Sequence, residues 1–253
     1  MARHNRPTLG YIRSWLFTIP AAVLATAVLI TTAVVTSVFA AGGRWQVFLY
    51  RLWGSTVLAI FGARVRVTGA ENLTPGQNYV IVSNHLSLVD TPVMLKSLPV
   101  PFKFLAKREL LKVPFIGWYL RRAGHLTVDR ASLRSSIQSM NECARLIRER
   151  SLSVLIFAEG TRSIDGRMQP FKDGAAYLAI QSGVPAAPVA LVGTWDILPA
   201  KDSCFLPGEV ELRIGQPVSP AGYTLKERPA LTALLEQRVR ALSTAGCGPE
   251  SPA

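Results

Sequence analysis

From about residue 64 onward, short apolar runs alternate with amphipathic stretches, and the two periodicities predict alternating strands and helices. Strand-like runs fall at Arg64–Thr68, Tyr79–Ser83, Phe102–Ala106, Leu126–Val128, Val154–Ala158, Ala187–Val192 and Val210–Ile214. The run Tyr79-Val80-Ile81-Val82 is apolar at every position, which predicts a strand buried on both faces. Helical patterns cover Pro92–Ser97, Phe115–Arg122, Ser132–Arg150, Ala175–Ser182 and Leu225–Ser243. Within Ser132–Arg150, the residues Leu133, Ile137, Met140, Ala144 and Ile147 step by three or four and predict one buried face. Strands interleaved with helices predict an α/β domain whose mixed, mostly parallel sheet is covered by helices.

A different pattern precedes this region. Trp15 through Ala41 contains no charged residue. As a helix it would run for about 40 Å, more than a bilayer core of about 30 Å. The apolar core of a signal peptide is usually about 7–15 residues, so a retained membrane segment is expected, although residues 40–43 resemble a cleavage site. Trp45–Phe61 is interrupted only by Arg51. It reads as an interfacial helix, with Trp45, Tyr50 and Trp53 at headgroup level and Arg51 reaching phosphates, or as a buried helix of the following domain. Gly42-Gly43 suits a tight turn, which makes a helical hairpin the expected form of residues 15–62. The expected organisation is a basic leader with a membrane helix or hairpin over 1–62, a catalytic domain over 63–243 and a disordered tail over 244–253.

The apolar N-terminal segment accounts for a composition of 49% hydrophobic and only 17% charged residues. The net charge is +12, and the first acid, Glu71, follows Arg3, Arg6, Arg13, Arg44, Arg51, Arg64 and Arg66. A basic flank without acids suits a cytoplasmic, anionic leaflet, so membrane lipids are the expected partner. Nucleic acid is not, because zinc-finger spacing, a basic helix with heptads and an aromatic RNA-binding signature are all missing. Cys143, Cys204 and Cys247 form no metal or disulfide pattern, which fits a reducing compartment. No glycine-rich nucleotide loop or His/Glu zinc motif occurs, and no cofactor is expected.

Candidate chemistry begins at Asn84-His85-Leu86-Ser87-Leu88-Val89-Asp90, directly after the strand-like run at 79–83. An imidazole at the end of a strand can take a proton from a hydroxyl if a carboxylate fixes its tautomer. On a regular helix His85 and Asp90 would stand about 140° apart, so they meet only if the backbone turns between them. Otherwise Asp90 or Thr91 simply caps a helix starting at Pro92. A second segment, Leu155 through Ser163, ends a strand in Glu159, Gly160, Thr161 and Arg162. Gly160 permits close backbone approach and the Arg162 guanidinium is a planar fork for phosphate; the plainer reading is a polar turn with a surface Arg–Glu pair. A third, Gly124 through Arg130, also ends a strand with an arginine, and a fourth, Val184 through Val189, enters a strand through prolines.

In this order, the segments resemble the motif series of the 1-acylglycerol-3-phosphate acyltransferase (glycerolipid acyltransferase) family, over about residues 60–215. Asn84, His85 and Asp90 match its Asn-His-x4-Asp block, and family-like context recurs at 107–110, 114–118 and 170–174. Two departures are Ala158, where the family usually has proline before the motif glutamate, and Thr127, where it tends to have an aromatic. The resemblance implies an enzyme that moves an acyl chain from an acyl-CoA or acyl carrier protein thioester to the sn-2 hydroxyl of 1-acylglycerol 3-phosphate. His85 would be the general base, Asp90 would orient it, and no covalent acyl-enzyme would form. Arg130, Glu159, Gly160, Thr161 and Arg162 would form the acceptor site, with Lys103 and Lys107 as further phosphate candidates and His125 structural. Alternative acceptors are glycerol 3-phosphate, another lysophospholipid or a lyso-aminolipid. Outside the family, a membrane-bound hydrolase or a non-catalytic lipid-binding scaffold would share the basic, apolar composition, but no Gly-x-Ser-x-Gly elbow supports the former.

Overall fold

The computed structural model describes residues 6–39, 44–113, 116–129 and 132–245. Strands form where the apolar runs predict them: β1 (Ala63–Thr68), β2 (Val80–Ser83), β3 (Lys103–Lys107), β4 (Leu126–Val128), β5 (Val154–Phe157), β6 (Ala186–Val192) and β7 (Gly208–Ile214). They make one seven-stranded sheet in the order β1-β7-β6-β2-β5-β3-β4. From β6 to β4 all neighbours are parallel, while β7 runs antiparallel to β6 and carries β1 parallel to itself. The sheet is therefore mixed and mostly parallel, as expected. The helices are α1 (Thr8–Arg13), α2 (Ile19–Phe39), α3 (Arg44–Phe61), α4 (Asp90–Ser97), α5 (Ile116–Arg122), α6 (Leu133–Glu149), α7 (Gly174–Ser182), α8 (Thr194–Ile197) and α9 (Arg228–Thr244). The expected turn at Gly42-Gly43, the residue Arg130 and the tail from residue 246 lie outside the described residues.

Both faces of the sheet are covered, which explains the uninterrupted apolar strands. Side chains alternate across the pleat. Ile81 and Leu155 enter one core with Val57, Leu58 and Phe61 of α3 and Val93 and Met94 of α4. Val80, Val82, Val154 and Ile156 enter the other, with α6, α7 and α9. On α6 the expected face is correct for Met140, Ala144 and Ile147, but Ile137 is 46% exposed. The Ser139 hydroxyl already receives the amide of Asp129, just past the end of β4. The earlier turns of α6 thus overhang a three-residue strand and have no sheet to cover them.

Thr8–Thr36 is long and apolar enough to cross a membrane and is mostly unburied. It is continuous through a π-helical turn at Ser14–Thr18. Pro20 has no N–H for the Leu16 carbonyl, and the wider turn just before it absorbs that mismatch. Trp53 donates to the Thr26 hydroxyl and Gln46 to the Ala33 carbonyl, so α2 and α3 run antiparallel. This is a helical hairpin, but α3 also belongs to the α/β domain. Leu49, Gly54, Val57, Leu58 and Phe61 are buried, and Arg51 donates to the Leu98 carbonyl at the end of α4 rather than standing free for lipid phosphates. The packing unit therefore extends well before residue 63.

Gly54 sets the distance between α3 and α4. A Cβ there would lie 2.7 Å from the Pro92 carbonyl oxygen and 3.1 Å from the Lys96 amide. Gly54→Val should lower stability by about 1–3 kcal/mol, the usual cost of overpacking, measured by denaturant unfolding. A variant as stable as the parent would mean that the two helices do not meet this closely.

Candidate active site

In parallel sheets, sites form outside the carboxyl ends of strands where neighbouring connections leave toward opposite faces. Here β2 leads to α4 on one face and its neighbour β5 to α7 on the other. Ser83 and Phe157 end these strands in register, so His85 and Glu159 emerge side by side.

The loop after β2 is held at nearly every peptide. The Asn84 side-chain amide pairs with β6 in both directions, donating to the Leu191 carbonyl (2.9 Å) and accepting from its N–H (2.8 Å). The His85 amide donates to Glu159 Oε1 at 2.7 Å, and its carbonyl accepts from the Ser163 N–H at 2.9 Å. Asp90 then closes the loop. Its Oδ2 accepts from the Leu86 amide (2.7 Å), the Ser87 amide (2.9 Å) and His85 Nδ1 (2.7 Å). The backbone does turn between His85 and Asp90, which resolves the spacing problem. Capping of α4 by Asp90 is not what the structure shows: the helix begins at Asp90 itself, and the carboxylate points back into the loop.

Asp90 is fully buried, whereas the His85 side chain is 18% exposed. The imidazole stacks on Phe157 with centroids 3.9 Å apart and planes 9° from parallel. Sequence reasoning did not nominate Phe157, because an aromatic at a strand end reads as core. With Nδ1 donating to a carboxylate, the neutral ring keeps its lone pair on Nε2, and that nitrogen can accept a proton from a hydroxyl.

Glu159 takes a different place from the one its sequence suggested. It is 2% exposed, and its oxygens accept the His85 amide and the Gln169 amide (2.9 Å). Burial pushes its carboxyl above the ordinary range, against the pull of those two donors. It fastens the loop after β5 to the loop after β2. Gly160 turns the chain with φ +74°, where a side chain would be strained and would meet the Lys172 ammonium at 3.1 Å. Lys172, another cation not foreseen, therefore lies over this turn. Arg162 is half-buried with no ion pair or hydrogen bond among the described residues, and Thr161 is exposed.

The two lysines separate. Lys107 is exposed at the carboxyl end of β3. Lys103 pairs in register with Val154, three residues before Phe157 and so about 10 Å further down the sheet. Its ammonium donates to the Ala123 carbonyl at 2.6 Å, and burial lowers its pKa. Lys103 is thus not brought to the site. His125 is structural, as expected: its Nδ1 accepts the Phe104 amide, and burial together with the Lys103 charge holds its pKa down to about 4. The Cys143 thiol is pushed up to about 12 by burial and is inert. Among the described residues no cluster of side chains could hold a metal ion.

Residues 64–192 match the acyltransferase family model. The chain is 36% identical over 193 residues to human 1-acyl-sn-glycerol-3-phosphate acyltransferase alpha, covering 75% of this chain and 68% of that protein. It is 38% identical over 141 residues to the 1-acyl-sn-glycerol-3-phosphate acyltransferase of Limnanthes douglasii, covering 56% and 50%. The crystal structure of the 1-acyl-sn-glycerophosphate acyltransferase from Thermotoga maritima superposes with a TM-score of 0.76 at 28% identity, over 91% of this chain and 95% of that one. The family match, the sequence identity and the structural superposition agree: the chain belongs to the acyltransferase family, with the 1-acylglycerol-3-phosphate acyltransferases.

Proposed function

We propose that this enzyme transfers an acyl chain from an acyl thioester to the sn-2 hydroxyl of 1-acylglycerol 3-phosphate, forming phosphatidic acid. The observation that carries the mechanism is the 2.7 Å contact between His85 Nδ1 and Asp90 Oδ2 at the carboxyl edge of the sheet. Nε2 takes the proton of the acceptor hydroxyl as its oxygen attacks the thioester carbonyl. The tetrahedral intermediate collapses with loss of the thiolate, which recovers the proton from the imidazolium. Asp90 stabilises that imidazolium, and no residue needs to carry the acyl group. The donor is a coenzyme A or acyl carrier protein thioester, and no cofactor takes part.

Arg162 supports the phosphate assignment, because a half-buried guanidinium without a partner among the described residues suits a charge-assisted fork to an anion. Lys107 and Arg130 complete the cationic set in this reading. Glu159 serves the acceptor indirectly, by fixing the His85 loop. An apolar cavity of about 200 Å³ between α2, α3 and α4 includes Leu29, Trp53, Leu95 and Thr91, the residue after Asp90. Its apolar lining suits an alkyl chain.

The hairpin would sit in the cytoplasmic leaflet. Residues 6–15 hydrogen-bond to the catalytic domain, and α3 returns into its core, so both ends of the hairpin lie on one side. Thioester donors are available only there, and lipid substrates partition into the same interface.

His85→Ala should lower turnover by about 10²–10⁴-fold with folding and membrane association retained; near-normal turnover would end the general-base mechanism. Asp90→Asn should reduce kcat more than it raises KM for the acceptor, whereas a change in melting temperature alone would leave Asp90 a purely structural residue. Arg162→Ala should raise KM for the lysophosphatidic acceptor at least about 10-fold, as loss of a charge-assisted pair predicts, with KM for the donor little changed. An equal rise for both substrates would remove Arg162 from the acceptor site. Cysteines placed at Asn5 and Arg66, in a background lacking Cys247, should both resist an impermeant thiol reagent in intact cells and both react after permeabilisation. Labelling of position 5 alone in intact cells would replace the hairpin with a single span.

A further inference from the structure

The loop between β6 and β7 leaves the sheet at its catalytic end, and the N-terminal segment is clamped to it. Arg6 is 7% exposed, and its guanidinium donates to the carbonyls of Ile197 (3.0 Å), Cys204 (2.7 Å) and Asp196 (2.6 Å), with Trp195 at 3.4 Å. The Asp202 carboxylate lies 3.5 Å from its Nε. Further along, Arg13 donates to the Phe205 carbonyl, and Ser14 accepts the Phe205 amide while donating to the Gly10 carbonyl. Gly10 packs so tightly on this loop that a Cβ would lie 2.7 Å from Cys204 Sγ. A solvating tail would show none of this. Burying a guanidinium is costly unless its donors are matched, and here carbonyls of α8 and of Cys204 take both terminal nitrogens while the Asp202 carboxylate balances the charge.

The same loop touches the catalytic motif. The Ser87 hydroxyl donates to the Leu198 carbonyl at 2.6 Å and accepts the Val89 amide at 3.1 Å. Leu198 directly follows Ile197, one of the Arg6 acceptors, and the Ser87 amide is one of the three donors on Asp90 Oδ2. A path of hydrogen bonds joined by backbone thus runs from Arg6 through Ile197 and Leu198 and through Ser87 to the carboxylate that orients His85.

We propose that Arg6 is a positioning residue for the catalytic dyad: by locking the 195–204 loop it holds Leu198 against Ser87 and so sets the geometry of Asp90 and His85, coupling the seating of the membrane hairpin to turnover. The assignment rests on the acyltransferase reading of His85 and Asp90. Side chains in close-packed, hydrogen-bonded networks shift together, and a displacement of about 1 Å at a reacting group costs up to about 10²-fold in rate. Arg6→Ala releases the four carbonyls and allows such a displacement without touching either substrate. Arg6→Lys keeps the charge and can still reach part of the carbonyl set.

The test is steady-state kinetics of the full-length protein in proteoliposomes, varying the lysophosphatidic acceptor and an acyl-CoA donor separately, with melting temperatures and lipid co-sedimentation in parallel. Arg6→Ala should lower kcat by about 10–100-fold at temperatures well below its melting point, with both KM values within about 2-fold and full lipid association, as expected for loss of alignment rather than binding. Arg6→Lys should recover part of that loss, and Ser87→Ala should reproduce the kcat-selective pattern. Unchanged kcat in folded, lipid-associated Arg6→Ala overturns the proposal. So does a loss that follows only the folded or lipid-associated fraction. Absence of acyl transfer by the parent protein would instead count against the functional reading itself.

Discussion

One carboxylate oxygen, Asp90 Oδ2, gathers two backbone amides and an imidazole nitrogen, and the site is organised around that convergence. Removing a carboxylate from water costs several kcal/mol. Hydrogen bonds to a charged group return roughly 1.5–3 kcal/mol each, so three of them on one oxygen offset much of that cost. The loop between Asn84 and Asp90 is consequently not free to become the first turn of a longer helix. It is drawn into a tight turn that places the histidine over Phe157. The longer-range contacts keep this turn in register with the sheet: Asn84 on β6, Glu159 from the β5 loop, and Ser87 on Leu198.

That arrangement explains why several polar groups near the site are buried. Asn84, Ser87, Asp90 and Glu159 are all buried and bond mainly to backbone, with Asp90 Oδ2 also receiving His85 Nδ1 and its Oδ1 left without a partner among the described residues. In the proposed reading a phosphate is met by the more accessible cations, of which Arg162 and Lys107 stand at the carboxyl end of the sheet. Division of labour follows from burial. Groups that hold the loop are inside, and Arg162 and Lys107 are left more accessible.

Much of this was legible in the sequence. Uninterrupted apolar runs marked strands covered on both faces, and the His85–Asp90 spacing made any contact between the two conditional on a turn, with a helix cap as the alternative. What composition could not reveal was where a given cation spends its donors. Arg6, Arg13 and Arg51 read as a basic flank for lipid, yet each donates to backbone carbonyls of the catalytic domain. Lys103 and Lys107 bracket one strand, and only the register with β5 shows that they sit at opposite ends. Glu159 carries the residue type of a substrate ligand, but its neighbours in space are amides far from it in sequence. The α3 helix was ambiguous for a related reason: an apolar stripe against α4 and one against lipid look the same until Gly54 is seen under Pro92.

General-base action by His85 depends on which of its nitrogens bears the proton. Nitrogen NMR of histidine-labelled protein, with the His85 signals identified by their loss in His85→Gln, reads the tautomer directly. Protonated Nδ1 and an unprotonated Nε2 in the neutral ring are predicted, with the tautomer losing its preference in Asp90→Asn. A neutral His85 protonated at Nε2 would contradict the account, because that nitrogen could not then accept the proton of an acyl acceptor.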